Sequence, residues 1–184
     1  IKRRLPRGYR HPRLDERLRR ERTSEEARLT SEARRHGVPT PVLFDVDVRE
    51  TTLVFERVGD RDLRDALTES RVRDVGRHLA TIHEAGFVHG DPTTRNVRVG
   101  GGDSGATDRA GSDDLDGGNR TYLIDFGLGY YTDDVEDYAM DLHVLAQSLA
   151  GTADDPGPLL DAAEVAYRSV GDGAVVDHLR EIEG

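Results

Sequence analysis

His89-Gly90-Asp91-Pro92-Thr93-Thr94-Arg95-Asn96 and, further along, Asp125-Phe126-Gly127 are the stretches on which the reading of this chain turns. Phosphoryl transfer asks a protein for placement and charge neutralisation rather than covalent chemistry. One Asp accepts or orients the proton of the nucleophile, an Asn five residues later binds a metal ion, and a second Asp reaches the nucleotide phosphates through Mg²⁺. Asp91, Asn96 and Asp125 fill those three positions. Short apolar runs adjoin them, Val97–Val99 after Asn96 and Tyr122–Ile124 ending at Asp125. Paired as a hairpin, these runs bring Asn96 and Asp125 to the same end, as a shared metal site requires. Either motif alone occurs by chance; their order and apolar flanks make the combination specific.

Between the two runs, Gly100–Arg120 is almost entirely Gly, Asp, Ser, Thr, Ala and Arg, too polar to bury a core, and reads as a disordered insertion in the hairpin. Upstream, Thr23 to His36 reads as a helix, with Thr23 as N-cap, Glu26 three residues later and Gly37 as the stop. Val42–Val48 and Thr51–Val58 read as two strands turning at Arg49 and Glu50. A brief helix is expected over Asp62–Leu67, and an amphipathic one over Arg71–Ala85, where Val72, Val75, Leu79 and Ile82 recur at three- and four-residue steps before Gly86. Downstream, Met140 or Leu142 with Leu145, Ala146 and Leu149 mark a helix ended by Gly151 and Pro156; further helices are expected over Leu159–Ser169 and after Gly173. Helices with a few hairpin strands indicate an α+β architecture.

The composition excludes several classes. There is no Cys, so neither a disulfide scaffold nor a thiolate metal site can form. No apolar run approaches the ~18 residues of a spanning helix, so a soluble cytoplasmic chain with no membrane partner is expected. The net charge is −10, yet Lys2 is the only lysine and every other basic residue is Arg. An acidic, lysine-poor surface suits concentrated salt, where the Debye length falls to about 3 Å at 1 M, and points to a halophilic source. The charge is also segregated: residues 1–36 carry 13 basic and 6 acidic groups. That block suggests a polyanion contact, or else a helix with solvated Arg on its outer face.

A lone Lys in an Arg-rich chain is a candidate for a task that a planar guanidinium cannot perform; chance survival is the rival account. A phosphotransferase site needs a strand Lys to hold the nucleotide phosphates and a helical Glu to hold that Lys. Ile1-Lys2 resembles the end of such a strand, and Glu26 lies on the next helix. Glu26 could equally cap the helix with Thr23, and Glu25 is the alternative partner of Lys2. In Phe55-Glu56-Arg57-Val58, backbone groups around Glu56 and Val58 could meet adenine. His78 and His83 lie five apart and share no face as an i, i+4 metal pair would, so packing accounts for them. His89 is expected to support the loop rather than to react.

The sequence resembles the small atypical Ser/Thr kinase subunit of the KEOPS complex, the p53-related protein kinase family. The resemblance covers nearly the whole chain. It rests on Lys2-Arg3-Arg4-Leu5-Pro6-Arg7-Gly8-Tyr9-Arg10-His11-Pro12, Leu14-Asp15 and Arg22-Thr23-Ser24-Glu25-Glu26-Ala27-Arg28, with His89–Thr94, Ile124–Gly129 and Glu136–Leu142. It implies a compact bilobal protein-kinase-like fold with almost no activation segment, Asp141 following Gly127 by only 14 positions. The expected division is a partial, truncated N-lobe over 1–58 beginning at the third strand, and a minimal C-lobe over 59–184 that carries the 100–120 insertion. The family pattern makes Lys2 an ATP contact, Glu26 its partner, Asp91 catalytic, and Asn96 and Asp125 ligands of Mg²⁺. The resemblance further implies ATP hydrolysis and autophosphorylation in support of tRNA threonylcarbamoylation. The implied partners are an ASKHA-fold threonylcarbamoyl transferase, fused to the kinase in some archaea, the other KEOPS subunits, and tRNA through the complex. The family's glycine-rich loop and short basic tail are not in this chain, which reads as a fragment. The competing readings are a small-molecule phosphotransferase of the aminoglycoside-kinase type and a pseudokinase scaffold that only binds partners.

Overall fold

The computed structural model describes residues 1–9, 11–100 and 120–184. In chain order the elements are β1 (Lys2–Arg3), α1 (Pro12–Arg35), β2 (Leu43–Asp47), β3 (Thr52–Phe55), β4 (Arg61–Asp62), a 3₁₀ turn (Leu63–Asp65), α2 (Glu69–Glu84) and β5 (Phe87–Val88). They continue with β6 (Val97–Val99), β7 (Thr121–Leu123), β8 (Tyr130–Tyr131), α3 (Val135–Ala150), α4 (Gly157–Arg168) and α5 (Gly173–Glu183). This is the α+β architecture that the sequence predicts.

Three small antiparallel sheets organise the strands. The first has the order β1-β3-β2, with Lys2 opposite Leu53 and a register irregularity between Leu43 and Asp45. The second, β4-β6-β7, sets Val97 opposite Leu123 and Val99 opposite Thr121, so the expected hairpin forms. Its open end is held by Gly100 N–H donating to Arg120 O at 3.1 Å. The insertion expected there lies, between those two residues, outside the described residues. The third sheet pairs β5 with β8.

Helix α1 corrects the sequence reading. It begins at Pro12, eleven residues before Thr23, with proline's fixed φ at the first helical turn. Thr23 is not an N-cap: it is buried in mid-helix, and its hydroxyl donates to Arg19 O at 2.7 Å. The capping-box reading of Glu26 falls with it. The C-terminal stop is as expected, Gly37 taking φ 86°. The early start escapes an apolar-periodicity reading because the buried face of α1 is largely polar, including Asp15, Thr23, Glu26 and Thr30.

The core lies between the sheets and the C-terminal helices. Val72, Val75, Leu79 and Ile82 of α2 are buried as their spacing predicts, against Phe87, Val97, Leu123, Phe126, Leu145 and Tyr167 among others. Helices α2 and α4 approach closely because position 76 is glycine: a Cβ there would lie 2.4 Å from Ala163 O. In α3 the inward residue is Leu142, whereas Met140 is 47 % exposed. The brief helix expected over Asp62–Leu67 is a single 3₁₀ turn, and the two long strands shorten to Leu43–Asp47 and Thr52–Phe55. Among the described residues no helix is long and apolar enough to cross a membrane.

Candidate active site

Strand β1 places Lys2 at the mouth of a cleft of about 270 Å³, whose walls include Glu26, Phe55, Glu56, Val58, Ile124 and Asp125. Lys2 Nζ donates to Glu26 Oε1 at 2.8 Å and to Asp125 Oδ1 at 2.6 Å. Glu26 is buried, and its second carboxylate oxygen accepts from the Arg4 guanidinium at 2.6 Å. A buried carboxylate left without such partners would be costly; here each oxygen has a cation. Glu25 is instead oriented to Arg28, 3.8 Å away, so Glu26 is the partner of Lys2.

Asp125 sits just beyond β7 in the left-handed region, at φ 64°. That conformation is uncommon for a residue with a side chain, and the geometry around it is fixed from both sides. Ile124 N–H donates to Asn96 O at 3.0 Å, and Gly127 N–H reaches Asp125 Oδ1 at 3.3 Å. A Cβ on Gly127 would lie 2.7 Å from the Arg4 guanidinium, so glycine is what lets Arg4 reach Glu26. Burial works to raise the Asp125 pKa, but the hydrogen bond and charge of Lys2 outweigh it and hold the carboxyl below its ordinary value.

The loop after β5 carries Asp91. Asn96 closes it, its side-chain amide donating to Asp91 O at 2.9 Å and to Asp91 Oδ2 at 2.8 Å. The amide nitrogen is thereby committed to Asp91, leaving the amide oxygen as the acceptor with which Asn96 can meet a cation. The amide oxygen of Asn96 and the carboxylate of Asp125, beside the paired ends of β6 and β7 where Ile124 N–H donates to Asn96 O, are hard oxygen donors of the kind Mg²⁺ takes, completed by water and substrate phosphates. Among the described residues no group of three or more His, Cys, Asp or Glu is placed to hold a metal ion, so a cation here would depend on that Asn–Asp pair and its ligand.

His89 is buried, and both ring nitrogens are engaged: Nε2 donates to Ile124 O at 3.0 Å, and Nδ1 accepts from Asp91 N–H at 3.3 Å. Burial, only partly countered by the charge of Asp141, lowers its pKa and keeps the ring neutral. His89 thus ties the Asp91 loop to Ile124, between β7 and Asp125, the supporting place that the sequence suggests.

Asp141, in α3, is the residue the sequence reading missed. Its carboxylate accepts from His89 N–H at 2.7 Å and Gly90 N–H at 2.8 Å, and faces His83 Nε2 at 3.1 Å. The other nitrogen of His83 accepts from the Tyr167 hydroxyl at 2.7 Å, and Tyr138 stacks on the ring at 4.6 Å. Burial raises the Tyr167 pKa, which keeps its proton available for that bond. His83 is therefore part of a buried chain that holds the Asp91 loop, more than the packing residue expected of it. Gly90 is required where this chain meets the loop, because at φ 83° a Cβ would fall 2.3 Å from Leu128 O. The only sequence signal for Asp141 is its place in the Glu136–Leu142 block.

Glu56 and Val58 both border the cleft. Glu56 N–H is donated to Val42 O at 2.8 Å and its carboxylate accepts from Val42 N–H at 3.0 Å. Any base contact at Glu56 therefore falls to its carbonyl. Arg98, which sequence reasoning did not single out, braces the following segment through Asp62 and through Gly59 O at 3.3 Å.

Solved structures share this arrangement of elements. A Rio2 kinase from Chaetomium thermophilum, described as an ADP/Mg²⁺-phosphoaspartate complex, aligns over 97 % of this chain and 56 % of its own at a TM-score of 0.61 with 17 % identity. WaaP, described in complex with acyl carrier protein, aligns over 86 % and 69 % at a TM-score of 0.56, also with 17 % identity. The fold is thus kinase-like. No family model matches the chain. A probable serine/threonine-protein kinase BUD32 homolog of Archaeoglobus fulgidus is 35 % identical over 184 residues, which span all of this chain and 85 % of that protein. The chain belongs to this Bud32 family of atypical protein kinases. Probable bifunctional tRNA threonylcarbamoyladenosine biosynthesis proteins are 67 % identical in Haloarcula marismortui and 60 % in Halobacterium salinarum, each aligned over the whole chain. The chain spans about a third, 32 %, of the length of those two haloarchaeal relatives.

Proposed function

We propose that this chain is the ATP-dependent kinase and ATPase part of a bifunctional protein that makes threonylcarbamoyladenosine in tRNA, partnered by a threonylcarbamoyl transferase and the other KEOPS subunits. The observation that carries this is Lys2 Nζ within hydrogen-bond reach of both Glu26 and Asp125, with the Asp91 side chain held by Asn96 on the loop that His89 ties to Ile124. The BUD32 name of the Archaeoglobus relative and the bifunctional names of the haloarchaeal ones support it.

In this reading residues 1–58 form the smaller lobe and 59–184 the larger, with nucleotide in the cleft between them. The adenine meets backbone groups at Glu56 and Val58. Lys2, oriented by Glu26, holds the α and β phosphates, and the Arg4 bond to the second oxygen of Glu26 prevents that carboxylate from turning away. Asn96 and Asp125 hold Mg²⁺, which when bound neutralises charge on the phosphates. Asp91 accepts the proton of a hydroxyl nucleophile or orients a water. Asn96 fixes the Asp91 rotamer, and Asp141 fixes the backbone before it through His89 and Gly90.

The test is ATP hydrolysis and protein phosphorylation by the complete bifunctional polypeptide, measured with and without tRNA. Mg²⁺-dependent ATP turnover is expected. Transfer of the γ-phosphate to an aminoglycoside or other small alcohol, with none to water or protein, would favour the small-molecule phosphotransferase reading. Partner binding without nucleotide turnover would favour the scaffold reading.

A further inference from the structure

A second recess lies on the far side of Arg4 from the nucleotide cleft. It encloses about 100 Å³ between Arg4 and Arg7, which follow β1, and Arg19 and Arg22, which share one face of α1 at three-residue spacing, with the Asp15 carboxylate, tied to Arg19, also in its wall. None of these four arginines lines the nucleotide cleft.

Two of the four are fixed in place. Arg19 donates from Nε to Asp15 Oδ2 at 2.8 Å and from a terminal nitrogen to Thr51 Oγ1 at 3.2 Å. Arg4 is held by Glu26, while its Nε is buried without an acceptor. A buried donor lacking its bond costs free energy. The other two are uncommitted: Arg22 makes no ion pair or hydrogen bond among the described residues, and Arg7 reaches only the Tyr9 hydroxyl, at 3.3 Å. Of the four guanidiniums, Arg19 pairs with Asp15 and Arg4 with Glu26, whereas Arg7 and Arg22 face no carboxylate partner among the described residues.

We propose that this recess is a phosphate-binding site distinct from the nucleotide cleft. The recess is too small for a nucleoside but has room for one tetrahedral oxyanion. Guanidinium forks match such an oxyanion in pairs, and the unmet charge suits a phosphate better than a monocarboxylate. In concentrated salt a diffuse basic surface is screened beyond about 3 Å, so an anion site has to work through direct contacts in a recess, as here. The phosphate can be free or part of an RNA backbone; the chemistry of recognition is the same.

The probe is inorganic phosphate, titrated by ³¹P NMR into the complete polypeptide at fixed high KCl, with a non-hydrolysable ATP analogue saturating the nucleotide cleft. Phosphate is expected to bind in the presence of the analogue. The double substitution Arg7→Gln, Arg22→Gln, which removes no internal ion pair, should weaken it by about tenfold or more, as loss of charge-assisted bonds does. Arg22→Lys should give a smaller loss, and Arg17→Gln on the opposite face of α1 none. Displacement of the phosphate by tRNA would assign the site to an RNA backbone, and retention would assign it to the free ion. No binding by the parent protein, competition by the nucleotide analogue, or equal binding by the double variant would each overturn the proposal. Failure of ATP hydrolysis would leave this titration unaffected, so the site and the kinase reading fail separately.

Discussion

Lys2 is the residue at which composition and geometry meet. A compact ammonium sits between Glu26 and Asp125, at 2.8 and 2.6 Å, where a planar guanidinium would carry its terminal nitrogens one bond further and could not place a single donor at both distances. Lys2→Arg in the complete polypeptide is therefore expected to lower kcat/KM for ATP by roughly tenfold to a hundredfold while leaving the thermal midpoint nearly unchanged; steady-state kinetics with a melting curve separates the two. Unaltered kinetics would make the solitary Lys an accident. The histidines give a pH prediction. His78 is pushed down to about 4, chiefly by burial, from an ordinary 6.5, so below pH 6.5 the unfolded chain binds a proton that the folded chain refuses. Stability should thus fall as pH drops from 6.5 toward 4 and level off below, and His89, also depressed, acts in the same direction. His78→Gln, which can keep the bond to Thr121 Oγ1, should flatten part of that slope in denaturant titrations at several pH values. A slope as steep as the parent's would refute the assignment.

At the level of elements, α2 and α4 pack so closely that Gly76 has no room for a methyl group. Alanine is worth about 1 kcal/mol more than glycine in a helix interior, so propensity alone predicts that Gly76→Ala stabilises. Overpacking costs typically 1–3 kcal/mol, and with Ala163 O only 2.4 Å away it should win, lowering the melting temperature. Elements also show what could be read from the sequence. Helix α2 was legible because its apolar residues repeat with the helical period before Gly86, while its start at Glu69, capped by Thr68, lies two residues earlier than that repeat shows. The β6–β7 pairing was legible because two apolar triplets flank chemically distinctive residues. Helix α1 was half-hidden, since a face that buries Asp15, Thr23 and Glu26 carries little apolar signal. Strands β4, β5 and β8 are two residues each, too short for any alternation to show.

On the scale of the whole molecule, the site is assembled by contacts of very different reach. Asn96 and Asp91 are five residues apart, and their relation follows from spacing. Lys2 and Asp125 are 123 apart, and the sequence placed them together only through the chemistry each would serve. Arg4 and Asp141 had no such chemistry to announce them, so their roles emerge only once the chain is folded. Asp141 joins α3 to the Asp91 loop across 52 residues, and through His83 and Tyr167 to α2 and α4. Asp141→Ala should therefore lower the melting temperature and reduce ATP turnover together, whereas Asp91→Ala should abolish turnover with little change in melting. The charge is organised on the same scale: a net −10 coexists with an N-terminal segment of 13 basic and 6 acidic groups, which contributes Lys2 and Glu26 to the cleft.

The most direct measurement of the central claim is Mg²⁺-dependent ATP hydrolysis by the complete polypeptide carrying Asp125→Ala. Loss of turnover by about a hundredfold or more, with the fold retained by circular dichroism, is the predicted result. Hydrolysis at the parent rate with the same Mg²⁺ dependence would contradict it.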